Sequence, residues 1–201
     1  MKKTAISIIL IFITMTTFAQ NIPNSITVNG EHEYVIKPEF EAKMILSLAN
    51  VYYDAPGMTL PDLKSTYLNN LEKAGISKSS ISEDELAYAI MGYDKEGTVI
   101  KLKTKSTEEM KKFLNVRGLG VTKSDANLSY VLSNEEMANY TKLAYEDAKA
   151  KATAMAEKIG RKVGKALYIT NSNSNETVES IYYATEINNR KYNISVSFEL
   201  L

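Results

Sequence analysis

The chain has 201 residues, 24 basic and 24 acidic side chains, one histidine, 13 tyrosines and no cysteine or tryptophan. Zero net charge argues against nucleic acid as a partner, which rewards a basic surface. The lack of cysteine excludes disulfides and thiolate metal sites, so apolar burial must hold the fold.

The first residues read as an export signal. Lys2 and Lys3 precede an apolar run from Ala5 to Met15, broken by Ser7 and Thr14. Thr17 and Ala19 place small residues at the −3 and −1 positions of a cleavage site. The run falls short of the about 20 residues that span a bilayer, which favours cleavage after Ala19 over an uncleaved anchor. The expected product begins at Gln20, is periplasmic or secreted, has no transmembrane segment and carries 22 basic against 24 acidic residues. No cysteine follows the run, so no lipobox attachment is expected.

Strands are predicted next. Ile26 and Val28 alternate with polar neighbours, Gly30 reads as a bulge or bend, and Tyr34 to Ile36 continue toward Pro38. From Phe40 to Val51, Phe40, Ala42, Met44, Leu46 and Leu48 share a face. Asp54 to Gly57 form a turn. Thr59-x-x-Asp62 is a capping box with the shorter acid, with Pro61 in the first turn. Leu60, Leu63, Tyr67, Leu71 and Ala74 follow helical spacing to Gly75. Residues 77–84 read as a polar connector. Leu86 to Tyr93 and Thr98 to Thr104 read as a hairpin around Asp94 to Gly97.

Ser106-x-x-Glu109 is a capping box opening a short helix through Val116. Leu128, Tyr130 and Leu132 alternate as a strand. Ser133-x-x-Glu136 then caps a helix of about 26 residues, ending at Gly160. Alanines 144, 148, 152 and 156 lay a stripe of small side chains along it. Asp147 with Lys151, and Glu157 with Arg161, are i,i+4 pairs. Leu167 to Thr170 read as a strand, Asn171 to Asn175 as a loop, and Ile181 to Ala184 as a strand. Tyr192, Ile194, Val196, Phe198 and Leu200 alternate into the C-terminus.

The order excludes strict strand–helix alternation, so an α+β fold is expected: largely antiparallel sheets with a long helix and two shorter helices packed on them. The expected division is an outer lobe, 25–75 plus 133–201, with a smaller inserted lobe, 76–132.

Two patterns together carry a resemblance. One is Ile26-Thr27-Val28-Asn29-Gly30, with Pro38 and a long strand after it. The other is Ala144, Asp147-Ala148-Lys149-x-Lys151-Ala152, Met155-Ala156, Gly160 and Val163-Gly164, closed by an alternating strand. The chain resembles the SIMPL-domain family of exported bacterial proteins, which includes the periplasmic immunogenic protein and a protein of oxidative stress defence. Lys149 stands where the family usually has arginine, and Met155 and Ile159 where it often has leucine. The resemblance implies an α+β fold, a cell-envelope location, and ring-like homo-oligomers in some relatives. It implies no enzyme activity and no catalytic residues.

The residues themselves point the same way. His32, between Glu31 and Glu33, reads as part of a solvated strand rather than a metal ligand. Gly118-Leu119-Gly120 lacks the third glycine of a dinucleotide loop and reads as a turn. Asp84, Glu85, Glu108 and Glu109 sit at caps and turns. Lys142, Lys149, Lys151, Lys158, Arg161, Lys162 and Lys165 form a basic face, read as solvated, with an anionic envelope lipid as the sharper alternative. Tyr52-Tyr53 and Tyr182-Tyr183 are the expected subunit contacts. No catalytic, cofactor or metal site is assigned. The expected function is non-enzymatic: self-assembly or binding of an envelope partner, in a stress-defence role that the resemblance implies. The alternatives are a small-ligand or lipid module, and last a hydrolase with a scattered site.

Overall fold

A computed structural model describes residues 24–51, 57–182 and 187–201. The leader and the Tyr52-Tyr53 pair lie outside the described residues, as does Tyr183.

The described elements run β1 (Ser25–Val35), β2 (Glu39–Ser47), α1 (Leu60–Lys73), β3 (Ile81–Asp84), α2 (Glu85–Ile90), β4 (Gly97–Thr104), α3 (Thr107–Asn115), β5 (Val121–Val131), α4 (Asn134–Lys158), β6 (Val163–Asn171), β7 (Glu176–Ser180) and β8 (Asn189–Leu200). They form two antiparallel sheets, of order β1-β8-β6 and β3-β4-β2-β5-β7. The chain is α+β.

It divides into two compact units. One takes the described part of Met1–His32 with Tyr140–Asn173 and Asn193–Leu201; the other takes Glu33–Asn139 and Ser174–Tyr192. This division runs elsewhere than the expected 25–75 plus 133–201 against 76–132. Its cause is β2, whose hydrogen bonds to β4 and β5 tie residues 39–47 to the middle of the chain.

The second unit is a five-stranded sheet with one deep face. Phe40, Ala42, Met44 and Leu46 meet Ile100, Leu102, Ala126 and Leu128 there, under Leu63, Tyr67 and Leu71 of α1 and Met110 and Phe113 of α3. β2 stops where Ser47 Oγ accepts the Ala49 N–H and starts a 3-10 turn, Leu48–Asn50. Leu48 therefore leaves the strand it was expected to finish. The opposite face is solvated and zipped by charge, with Lys43 beside Glu41 and Asp125, and Lys103 beside Glu39. A small cluster of Ile45, Val99 and Tyr88 closes one end of that face.

The expected strand over 86–93 is corrected. Asp84 Oδ1 accepts the Ala87 N–H at 2.7 Å and caps a helix in its place. Leu86, Tyr88 and Ile90 keep a strand's period of two, yet in the helix only Tyr88 is buried while Leu86 and Ile90 are exposed; the cap decides. The hairpin partner of β4 is β3, inside the segment read as a connector. Among the described residues the short helices therefore number three rather than two. Two strands outrun their expected bounds, β5 from Val121 and β6 from Val163. Of the strand expected at 181–184, Ile181 and Tyr182 are in a turn after β7 ends at Ser180, and 183–184 lie outside the described residues.

The other unit is built on α4 and the strands from both chain ends. Ser133 caps α4 with both arms of the box: Glu136 N–H donates to Ser133 Oγ (3.2 Å) and Ser133 N–H to Glu136 Oε2 (2.8 Å). Ala144, Ala148, Ala152 and Ala156 are all fully buried. The sheet answers with Val28, Ile194, Val196 and Phe198. Gly30 is neither a bulge nor a bend. Its φ is not positive, and a Cβ there would stand 1.9 Å from the Ala144 carbonyl oxygen and 2.8 Å from the Ala148 Cβ. Glycine is needed because the helix backbone comes that close. The expected Glu157–Arg161 pair gives way to Arg161 donating to the Leu200 and Leu201 carbonyls, at 3.0 and 2.9 Å. Both Gly75 and Gly160 end helices at positive φ, as the sequence predicts.

Gly30→Ala and Ala148→Leu should each lower stability by about 1–3 kcal/mol through overpacking. Urea unfolding checks this; unchanged midpoints for both would show that the stripe is not packed.

Candidate functional site

The residues singled out from the sequence fall in scattered places. His32 is half-buried with its ring 5.3 Å from that of Tyr140, while Glu31 and Glu33 are exposed. This is the alternation of a solvated strand. Among the described residues no acid and histidine cluster could hold a metal. Gly120 turns the chain at φ 67° into β5. Asp84 caps α2 and pairs with Lys101. Glu85 lies in the first turn of α2. Glu108 pairs with Lys111 at 3.1 Å. Glu109 N–H donates to Ser106 Oγ, while its carboxylate accepts the Thr104 hydroxyl (2.6 Å), so the second arm of that box passes through Thr104. These carboxylates stabilise helix starts.

The basic helix is a solvated face with two members already engaged. Lys151 donates to Asp147 (2.6 Å) and to the Asn29 carbonyl (3.4 Å). Arg161 holds the C-terminal strand. Tyr182 is exposed.

The second unit has more than one open concavity among the described residues. A groove of about 460 Å³ runs between α1 and β3, walled by Leu60, Pro61, Leu68, Lys64, Lys78 and Glu83. Its charges are mostly neutralised from within: Lys64 pairs with Glu83, and Lys78 with Glu72 at 3.3 Å.

The sheet edges differ more than the grooves do. Both edges of the five-stranded sheet are short and acidic: β3 carries Glu83 and Asp84, and β7 carries Glu176 and Glu179. Short, charged edges resist pairing. In the other sheet, β1 is closed by side chains of α4. The Glu31 N–H donates to Asp147 Oδ2 (2.8 Å) and the Asn29 carbonyl accepts from Lys151. The Lys151 hydrogen bond, helped by the Glu31 N–H, holds the Asp147 carboxyl below its ordinary value against partial desolvation. At the far edge, β6 has nine residues, no proline, and Lys165 as its one charge. Tyr168 and Ile169 stand 70% and 52% exposed there. Sequence reasoning found this strand but not its edge position, which the topology sets.

A family model described as SIMPL, protein of unknown function (DUF541), matches residues 62–198. The chain belongs to the SIMPL family. The match takes in the alanine-striped α4 and most of β8, and begins after the Ile26–Gly30 motif that shared in the resemblance. No curated protein matches. A solved structure, a putative C-terminal regulatory domain of aspartate kinase from Porphyromonas gingivalis W83, is similar at 10% identity over 86% of each chain. Its TM-score of 0.22 is too low to support a common fold. Among the described residues no helix is long and apolar enough to cross a membrane.

Because the folded carboxyl of Asp147 is depressed, its contribution is present above the unfolded value near 3.8 and is lost as pH falls through the lower folded value. Asp147→Asn should therefore lower the melting temperature at neutral pH and flatten its acid decline. Melting curves of the two proteins that stay parallel throughout the acid range would refute this.

Proposed function

We propose that this SIMPL protein is exported with cleavage after Ala19 and works in the cell envelope without catalysing a reaction. It acts by assembling with itself or holding an envelope partner, in a role tied to stress defence. The export reading is supported by the leader pattern, and the stress-defence reading by the resemblance alone. The observation that carries the association reading is the β6 edge, long, with Lys165 as its one charge and lined by exposed Tyr168 and Ile169. Such an edge is a template for another strand.

The groove between α1 and β3 favours a second reading, a small-ligand module. With Lys64 and Lys78 already paired, its occupant would be held by Leu60, Pro61 and Leu68 and would be mainly apolar. The lipid version through Lys149 and Lys151 is weaker, since Lys151 already serves Asp147 and β1.

Sedimentation equilibrium of the exported protein at high micromolar concentration should give a mass above that of one chain. Its intact mass should correspond to a chain beginning at Gln20. A strict monomer would defeat the association reading, and a mass retaining residues 1–19 would defeat the cleavage.

A further inference from the structure

The hydrogen-bonding directions of β6 can be worked out from its neighbours. In an antiparallel ladder the two main-chain groups of one residue point the same way, and successive residues alternate. The Leu200 N–H donates to the Asn24 carbonyl, so even-numbered residues of β8 face β1. Odd-numbered residues face β6, and Asn193 fits this by bonding through its main chain to the Asn173 side chain. Ser195 and Ser197 lie opposite Thr170 and Tyr168. Thr170 and Tyr168 therefore direct their main-chain groups to β8. Ile169, between them, turns its N–H and carbonyl to the open side.

The side chains divide as clearly. Ile169 lies opposite Val196, on the face that α4 covers. Tyr168 lies opposite Ser197, whose hydroxyl bonds to that of Thr27 on the solvated face.

We propose that two copies of this chain pair through the outer edges of β6, antiparallel and centred on Ile169, so that two three-stranded sheets become one of six. This rests on the association reading above and names its interface. Centring on Ile169 sets its N–H and carbonyl against those of its counterpart. It sets the two Ile169 side chains together on the helix-covered face, and each Tyr168 against the other copy's Thr170 on the solvated face. Isoleucine pairs and aromatic–β-branched pairs are favourable across strands. Lys165, the one charge on the strand, falls opposite Asn173, so no like charges meet. Within the same sheet the β1 edge is closed by Asp147 and Lys151, and the contrast leaves β6 as the edge suited to a twofold, self-complementary contact.

The test uses the full chain expressed with its own leader. Because the protein has no cysteine, Ile169→Cys introduces a single thiol. Directly opposed hydrogen-bonded residues have Cα atoms about 5.5 Å apart, within disulfide reach. Ile169→Cys should form a disulfide-linked dimer under mild oxidation. Tyr168→Cys, offset along the strand from its counterpart, should not. Ile169→Lys should halve the sedimenting mass while keeping the wild-type circular dichroism. If the wild type associates but Ile169→Cys does not cross-link and Ile169→Lys keeps its mass, the β6 interface is overturned and the association reading survives. If the wild type sediments as a monomer, both fall.

Discussion

The close approach of α4 to β1 sets the terms for its unit. A helix backbone can lie against a strand only where neither carries bulk, and here both surfaces comply: alanines 144 and 148 on one side, Gly30 on the other. Little apolar area is buried per residue at such a contact, yet dispersion is gained because atoms meet at contact distance. The larger side chains sit to either side. Phe198 lies against the Tyr145 ring, with centroids 5.7 Å apart, while Val28, Ile194 and Val196 fill the sheet face. The same approach brings Asp147 and Lys151 within reach of the β1 main chain. Closing that edge follows from the packing and needs no separate element.

That consequence is asymmetric. An edge strand must be paired, covered, charged or kept short if it is not to recruit another chain. Three of the four edges meet one of these conditions. On β6, register shifts interrupt the ladder between Val163 and Tyr168, but its last four residues pair regularly with β8 and carry no charge. The exposed residues are therefore those with the most regular strand geometry.

Much of this was legible in the sequence, for reasons that differ by element. The Thr59 and Ser133 capping boxes, the alanine stripe and the closing strand are local patterns whose physics lies within a few residues, and the structure has all of them. α2 was not legible, because Leu86, Tyr88 and Ile90 follow a strand's period and only the Asp84 cap marks a helix. β3 has one apolar residue, Ile81, and is a strand because β4 pairs with it. Gly30 was noticed for the wrong reason: a bend and a close contact both call for glycine, and the contact partner lies 114 positions away. Edge status is a property of topology, so no local pattern could have told β6 from an interior strand. Arg161 was assigned the nearest acid in sequence, whereas its partners are carbonyls some 40 residues away.

In the proposed pairing, the small sheet would also link stability to association. Three strands under one helix are close to the minimum that holds together in water. One face is covered by α4, and the other exposes polar pairs such as Thr27 with Ser197. Ile169 lies at the open lip of the covered face, half its surface in water although its neighbour Val196 has none exposed. Joining two copies at β6 removes that surface from water and satisfies the main-chain groups of Ile169 in one step. It also extends the covered layer without moving any existing element. A protein that gains burial and hydrogen bonds together at a single strand needs no aromatic hot spot to associate. In the proposed pairing the weight of the contact falls on the uncharged end of β6 rather than on Tyr182, the expected anchor.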